Sequence, residues 1–224
     1  MIKERILFER GTLLRKNDSQ ELKISINQEH FSNLYLINGT SFITKDLSES
    51  DFIIKPHDYY MIINKSNENI EINYNLDISN HKIIYDPYKY ENSKKVNFKP
   101  EDFQQKYRIP DGYIDTLPKW YSFKFTYPDY NLIFVKPEMG LSIQIHKNRS
   151  ETWEILEGKP IVISGNNVYY YVKNGTKFQN LINSFHSIIN PNKDREQFVI
   201  IKERWSGEFY EKDIKRIFNP NQYT

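Results

Sequence analysis

Polar and apolar residues alternate with a period of two along much of this chain. Ile70-Glu71-Ile72-Asn73-Tyr74-Asn75-Leu76 does so without a break, and Ser142-Ile143-Gln144-Ile145-His146 repeats the pattern. Successive side chains of a strand point to opposite faces, so each run offers one apolar and one polar face. Residues 34–37, 52–54, 161–163 and 198–201 are shorter β-rich runs. Turn signals such as Asn38-Gly39, Gly165-Asn166-Asn167 and Asn174-Gly175 separate many of them. Short strands at regular spacing, with little helical periodicity, predict an all-β sandwich or barrel.

The runs form two blocks, about residues 5–78 and 119–203. Between them, 85–118 is rich in Tyr, Lys, Pro and Asn and reads as a connecting segment. Within it, 99–107 predicts a short helix, with Pro100 and two acids in its first turn. Near the end, 212–218 reads as either helical or extended.

The stretch 140–158 concentrates the chemistry. Gln144 and His146 share one face of the first run, and Ile143 and Ile145 share the other. A polar turn, Lys147-Asn148-Arg149-Ser150, leads to a second apolar run that starts at Glu151 and ends at Leu156. This reads as a hairpin with an amide, an imidazole and a carboxylate near its mouth, a set suited to metal ligation or proton transfer.

Composition narrows the choices. Hydrophobic residues make up 38% and aromatics 15% of 224 residues, enough for a core, and 27% charged residues argue against wholesale disorder. The 31 basic and 29 acidic side chains leave +2 with no basic block, which suggests no nucleic-acid partner. The absence of cysteine excludes disulfides, thiolate metal sites and cysteine nucleophiles. The first residues, MIKERILFERGTLLRK, interrupt their apolar positions with charges and do not read as a signal peptide. No apolar run approaches the roughly 18 residues of a membrane span. The expectation is a soluble cytoplasmic protein that does not engage a membrane.

Two spacings resemble the paired motifs of the cupin family, G-x5-H-x-H-x3–4-E-x6-G and G-x5-P-x-G-x2-H-x3-N. Gly140, His146, Glu151 and Gly158 match the first; Gly175, His186 and Asn190 match the second. Asn148 stands where the first motif has its second histidine, the spacer from there to Glu151 is one residue short, and Leu181 and Asn183 stand where the second has Pro and Gly. Within the cupins, residues 118–218 are similar to mannose-6-phosphate isomerase domains, including those at the C-terminus of GDP-mannose pyrophosphorylases. Leu141, Ser142, Gln144, His146, Arg149, Glu151 and Trp153 match L-S-L-Q-x-H-H-H-R-x-E-x-W. Pro118-Lys119-Trp120 resembles the entering P-W-G, and Gly207-Glu208-Phe209 with Asp213-Ile214-Lys215-Arg216 resembles the closing segment. The first block resembles a worn cupin, with Met61 or Tyr60 at the histidine position.

This resemblance implies an all-β bicupin, two jelly-roll barrels in tandem. It divides as a degenerate first barrel over 1–84, a linker over 85–117 and a second barrel over 118–224. It implies a divalent metal, zinc before others, held by Gln144, His146, Glu151 and His186. Arg149 would grip a phosphate, and Arg149 and Glu151 would be the catalytic pair. The implied activity is isomerisation of a phosphorylated or nucleotide-linked sugar, by a homodimer. The rival is a non-catalytic sugar-binding or assembly module that kept the barrel. Other residues read more plainly: Asn148 as a turn residue, Trp120 and Trp153 as core or wall aromatics, and Tyr59-Tyr60 and Tyr169-Tyr170-Tyr171 as strand packing. His30, His57 and His81 read as surface histidines, and Lys94-Lys95 as solvated charge.

Overall fold

The computed structural model describes residues 2–208 and 213–221. The chain divides into two compact units, Met1–Asp86 with Asn166–Tyr169, and Pro87–Gly165 with Tyr170–Thr224.

The first unit holds β1 (Ile2–Ile6), β2 (Leu14–Lys16), β3 (Leu22–Ser25), β4 (Leu34–Asn38), β5 (Ser41–Ile43), β6 (Ile53–Ile54), β7 (Tyr59–Asn64), β8 (Ile70–Tyr74) and β9 (Lys82–Tyr85). One antiparallel sheet runs β1-β8-β3-β6 and another β5-β4-β7-β2-β9. Alternation places Ile70, Ile72 and Tyr74 inside, against Leu36, Tyr60 and Ile62 from the other sheet. The turn at Asn38-Gly39 closes β4 onto β5, with Asn38 opposite Ser41, and Gly39 takes φ +57 there. His81 is a correction to the sequence reading. It is buried, not on the surface, and its Nδ1 lies 2.8 Å from the Tyr60 hydroxyl.

The second unit holds β10 (Asp115–Pro118), β11 (Ser122–Thr126), β12 (Asn131–Val135), β13 (Ile143–His146), β14 (Arg149–Glu157) and β15 (Ile161–Ser164). β16 (Asn167–Tyr169) belongs to the first unit, where Asn167 pairs with Ser41 of β5; the second unit continues with β17 (Lys177–Asn180), β18 (His186–Ile189), β19 (Val199–Gly207) and β20 (Ile214–Phe218). A six-stranded sheet runs β10-β11-β12-β19-β14-β17, and β20-β13-β18-β15 forms the second.

Period two decides which face each residue serves. Ile133, Val135, Trp153, Ile155, Val199 and Ile201 point inward and meet Val162 and Ile188 from the second sheet. Leu132, Phe134 and Ile200 point the other way and meet Phe123, Phe125 and Phe103. That is why all five residues of β12 are buried: both faces of the strand are covered.

Phe103 comes from a helix α1 (Glu101–Gln104), shorter than predicted, whose start is fixed by the Asp102 carboxylate accepting from Lys99 N at 2.8 Å. Its ring lies 4.7 Å from Phe134 and 5.0 Å from Phe123, so Phe103→Ala would cost about 3–5 kcal/mol. Residues 214–218 are extended as β20; Phe209 and Lys212 lie outside the described residues. Among the described residues no helix is long and apolar enough to cross a membrane.

Candidate metal centre

The stretch 140–158 is not the hairpin its sequence suggests. β13 pairs with β18 and β20, whereas β14 pairs with β17 and β19, so the two strands lie in different sheets. The link between them is held by Asp213, whose Oδ1 accepts from Lys147 N at 2.8 Å and Asn148 N at 3.1 Å. Those amides therefore do not close a two-strand turn. Gly207, opposite Arg149, lets the link pass. It adopts φ +106, and a Cβ there would lie 2.5 Å from the Asn148 carbonyl oxygen.

This crossing brings residues from both sheets together. Gln144 faces His186 across β13 and β18, and His146 follows Gln144 on the same face. From the opposing sheet, Arg149, Glu151, Trp153 and Ile155 are the buried positions of β14's alternation. Asn183 takes φ +59 in the turn before His186, at the position where the cupin motif has glycine. Asparagine tolerates that conformation better than most residues, and here its N–H donates to the His146 carbonyl at 2.8 Å.

The result is a buried cluster. His146 Nε2 lies 3.0 Å from Glu151 Oε1, and His186 Nε2 lies 3.6 Å from Glu151 Oε2. Gln144 Nε2 is 3.5 Å from His186 Nε2, and the two imidazole rings are 4.9 Å apart. One ligand atom each from His146, Glu151 and His186 lies within 4.8 Å of the others. His186 Nδ1 lies 3.0 Å from the Ser184 carbonyl, which can only accept, so that nitrogen carries the proton and Nε2 keeps its lone pair.

Electrostatics sharpen the assignment. Burial pushes the His186 pKa down to about 4, against the pull of Glu151, so the ring is neutral at pH 7. Burial alone would raise Glu151. The His146 hydrogen bond and the charges of His186, His146 and Arg149 outweigh it and hold the carboxyl down at about 2. Two imidazoles facing one carboxylate are a divalent-metal donor set. One ligand atom from each of the three residues lies within 4.8 Å of the other two, close enough for one divalent ion to reach all three. The residues fit such an ion.

Arg149 shares this space. It is buried, its Nε donates to Glu151 Oε1 at 3.0 Å, Nη2 is 3.3 Å from His146 Nε2, and Nη1 is 3.5 Å from Asp213 Oδ2. These bonds run inward, to the cluster.

A cavity of about 440 Å³ opens beside the cluster. Gln144, Arg149, Glu151 and Trp153 reach its wall; His146 and His186 do not. Lys119, Lys124 and Arg216 also line it, which makes it suited to an anion. So does Glu203, which sequence reasoning missed. Glu203 accepts from Asn131 Nδ2 at 2.7 Å and from Trp153 Nε1 at 3.1 Å. Burial, then the charge of Glu151, pushes its pKa up to about 8, so it is a neutral acid at pH 7. Asp213 is the other residue whose role the sequence did not disclose. Asn190 is structural: its Nδ2 donates to the carbonyls of Val135 and Gln197.

Two sheets enclosing a buried His/His/Glu cluster define a β-rich, cupin-like protein with a site compatible with a divalent metal. The match to the family "mannose-6-phosphate isomerase C-terminal" spans residues 99–219, and the chain belongs to that family. No curated protein matches. Among solved structures, similarity extends to a cupin-superfamily sugar phosphate isomerase from Silicibacter pomeroyi, at 11% identity and TM-score 0.34, covering 39% of this chain and 60% of that one. The capsular polysaccharide assembling protein CapF of Staphylococcus aureus matches at 14% identity and TM-score 0.36, over 49% of this chain and 33% of its own. A cupin-2 domain from Rhodospirillum rubrum matches at 18% identity and TM-score 0.36, over 52% and 86%. The chain thus spans less than two thirds of the length of the first two.

Proposed function

We propose that this chain is a zinc-dependent isomerase of a phosphorylated or nucleotide-linked sugar, working in the cytoplasm as a homodimer. One observation carries the reading: two imidazoles and a carboxylate from facing sheets meet beside a cavity that also bears four cationic side chains. His146, Glu151 and His186 would hold the ion, with Gln144 as a fourth ligand. A bound divalent ion would polarise the sugar's neighbouring oxygens and stabilise an enediolate.

The chain's own side chains supply the rest. Lys119, Lys124 and Arg216 would take the phosphate, because ammonium and guanidinium groups match its oxygens. Arg149, engaged with Glu151, would keep that carboxylate ionised and aimed. Glu203, protonated at neutral pH, would lend its carboxyl proton to a sugar oxygen and recover one in the reverse sense. In architecture we read a bicupin: 1–84 as a worn barrel without ligands, 85–117 leading on from it, and 118–224 as the barrel that carries the site.

A second reading has its own observation. Arg149 already places a fixed cation against His146 and Glu151, and Asn148 stands in the place of a histidine. Both favour a non-catalytic sugar-binding or assembly module.

Protein purified without added metal should retain or take up about one zinc per chain. It should interconvert a hexose 6-phosphate by NMR, and His146→Ala should abolish both. Saturable sugar binding that survives chelation, with no zinc uptake and no turnover, would replace the enzyme with the module.

A further inference from the structure

A smaller cavity of about 280 Å³ lies elsewhere in the second unit, lined in part by Tyr90, Lys94, Trp120, Lys136 and Arg195. It shares no lining residue with the larger cavity. Alternation along Lys119-Trp120-Tyr121 explains the separation: the outer two residues line the larger space and Trp120 lines this one.

Its charge is one-sided. Three cationic side chains reach the wall and no carboxylate does. Lys136 is half-buried, its ammonium 5.1 Å from the centre of the Tyr90 ring and 6.0 Å from that of Phe98. Burial, then the neighbouring charge of Arg195, lowers the Lys136 pKa. Exposed cation–ring contacts contribute only about 0.5–1 kcal/mol each, weak compensation for a desolvated ammonium set near a guanidinium. Glu138, two residues further along, sits behind the lining residue Tyr90, and its charge is matched by Lys89. Both its oxygens lie 2.7 Å from Lys89 Nζ, and one accepts from the Tyr90 hydroxyl at 3.0 Å. Among the described residues neither Lys136 nor Arg195 has an ion-pair partner. Cations held together without a counter-charge are stabilised by whatever anion settles between them.

We propose that this cavity is a second ligand site, for a phosphate monoester carried on a ring. Lys136, Arg195 and Lys94 receive the phosphate, and Trp120 and Tyr90 pack against the ring. A phosphate monoester carries about −1.5 to −2 at neutral pH, which matches two or three cations better than a carboxylate does. Guanidinium forks suit its oxygens, and an aromatic wall suits the face of a ring. The ring can be a sugar or a nucleobase, and the test separates them. The proposal is independent of the metal centre and of any isomerase activity.

The full chain, stripped of metal and held at low ionic strength, is titrated with inorganic phosphate, a hexose 6-phosphate and a nucleoside 5′-monophosphate while tryptophan emission is followed. A saturable change is expected with at least one of the two esters, tighter than with phosphate alone, and absent in Trp120→Phe. Lys136→Gln and Arg195→Gln should each weaken binding about tenfold, whereas Arg216→Gln, in the larger cavity, should leave the Trp120 signal unchanged. Lys136→Met removes the half-buried charge without requiring a new partner. Its melting temperature should rise less on adding the tighter ester than that of the unmutated chain. Equal affinity in Lys136→Gln and Arg195→Gln, loss in Arg216→Gln instead, or no saturable change with any probe overturns the site. Phosphate binding as tightly as both esters overturns the ring.

Discussion

The first unit buries one imidazole and the second buries two, and their surroundings set them apart. His81 is bonded to the Tyr60 phenol, and its ring lies edge-on to Tyr60 at 5.8 Å. His146 and His186 face opposite oxygens of Glu151. Burial lowers the pKa of His81 just as it lowers that of His186. Desolvation alone therefore makes a neutral, packed histidine. The added feature in the second unit is an ionised carboxylate toward which both rings turn, kept charged against burial by the His146 hydrogen bond first and then by the neighbouring charges, Arg149 among them. The chain contains both versions, and the comparison separates a structural histidine from a candidate ligand.

The largest effect that can break this comparison comes from Glu151→Ala. It leaves Arg149 buried beside two imidazoles and Asp213, and should cost about 3–5 kcal/mol in urea unfolding. A cost no larger than that of disturbing Tyr60 would mean that the cluster is not held by its charge pairing.

The next effect is a pH dependence. Folding raises the Glu203 pKa from 4.5 to about 8, so its proton stabilises the fold fully below pH 4.5. That contribution is lost as pH rises through about 8. Glu203→Gln keeps an uncharged group of the same shape. It should flatten the decline in unfolding midpoint between pH 5 and 9; an unchanged slope would place the charge elsewhere.

The smallest effect lies in the first unit. Tyr60→Phe should cost about 1 kcal/mol at pH 7.5, the loss of one buried hydrogen bond. Because the His81 pKa is lowered from 6.5, its contribution is complete above that pH and fades as pH falls below it. His81→Gln should remove that acid slope while leaving zinc uptake, if measured in parallel, untouched.

Much of this was legible in the chain, and the failures have physical causes. Ile70, Ile72 and Tyr74 announce their inward face because the polar residues between them are exposed or half-buried. His146, Glu151 and His186 were legible through spacing, and the structure brings them together. The hairpin was misread because four polar residues between two apolar runs look alike whether the chain turns back or crosses to another sheet. What distinguishes the two lies far along the chain, in the Asp213 carboxylate and in Gly207. Glu203 hid among Lys202 and Arg204 as one more surface charge. The signal was there: Val199, Ile201 and Glu203 share one face of a single strand, so a carboxylate was headed into the core. Phe103 lay in a Pro- and Lys-rich segment, and one turn of helix has too few residues to show a period.

Gly207 has a reach far beyond its own size. It carries no functional group, yet the peptide link that crosses between sheets runs through the space its side chain would fill. A methyl group there would lever the crossing outward, and with it the two amides that clasp Asp213 and the arginine that follows them. The geometry of the candidate centre thus depends on an omission, and a mutation adding one carbon would displace groups that belong entirely to other residues.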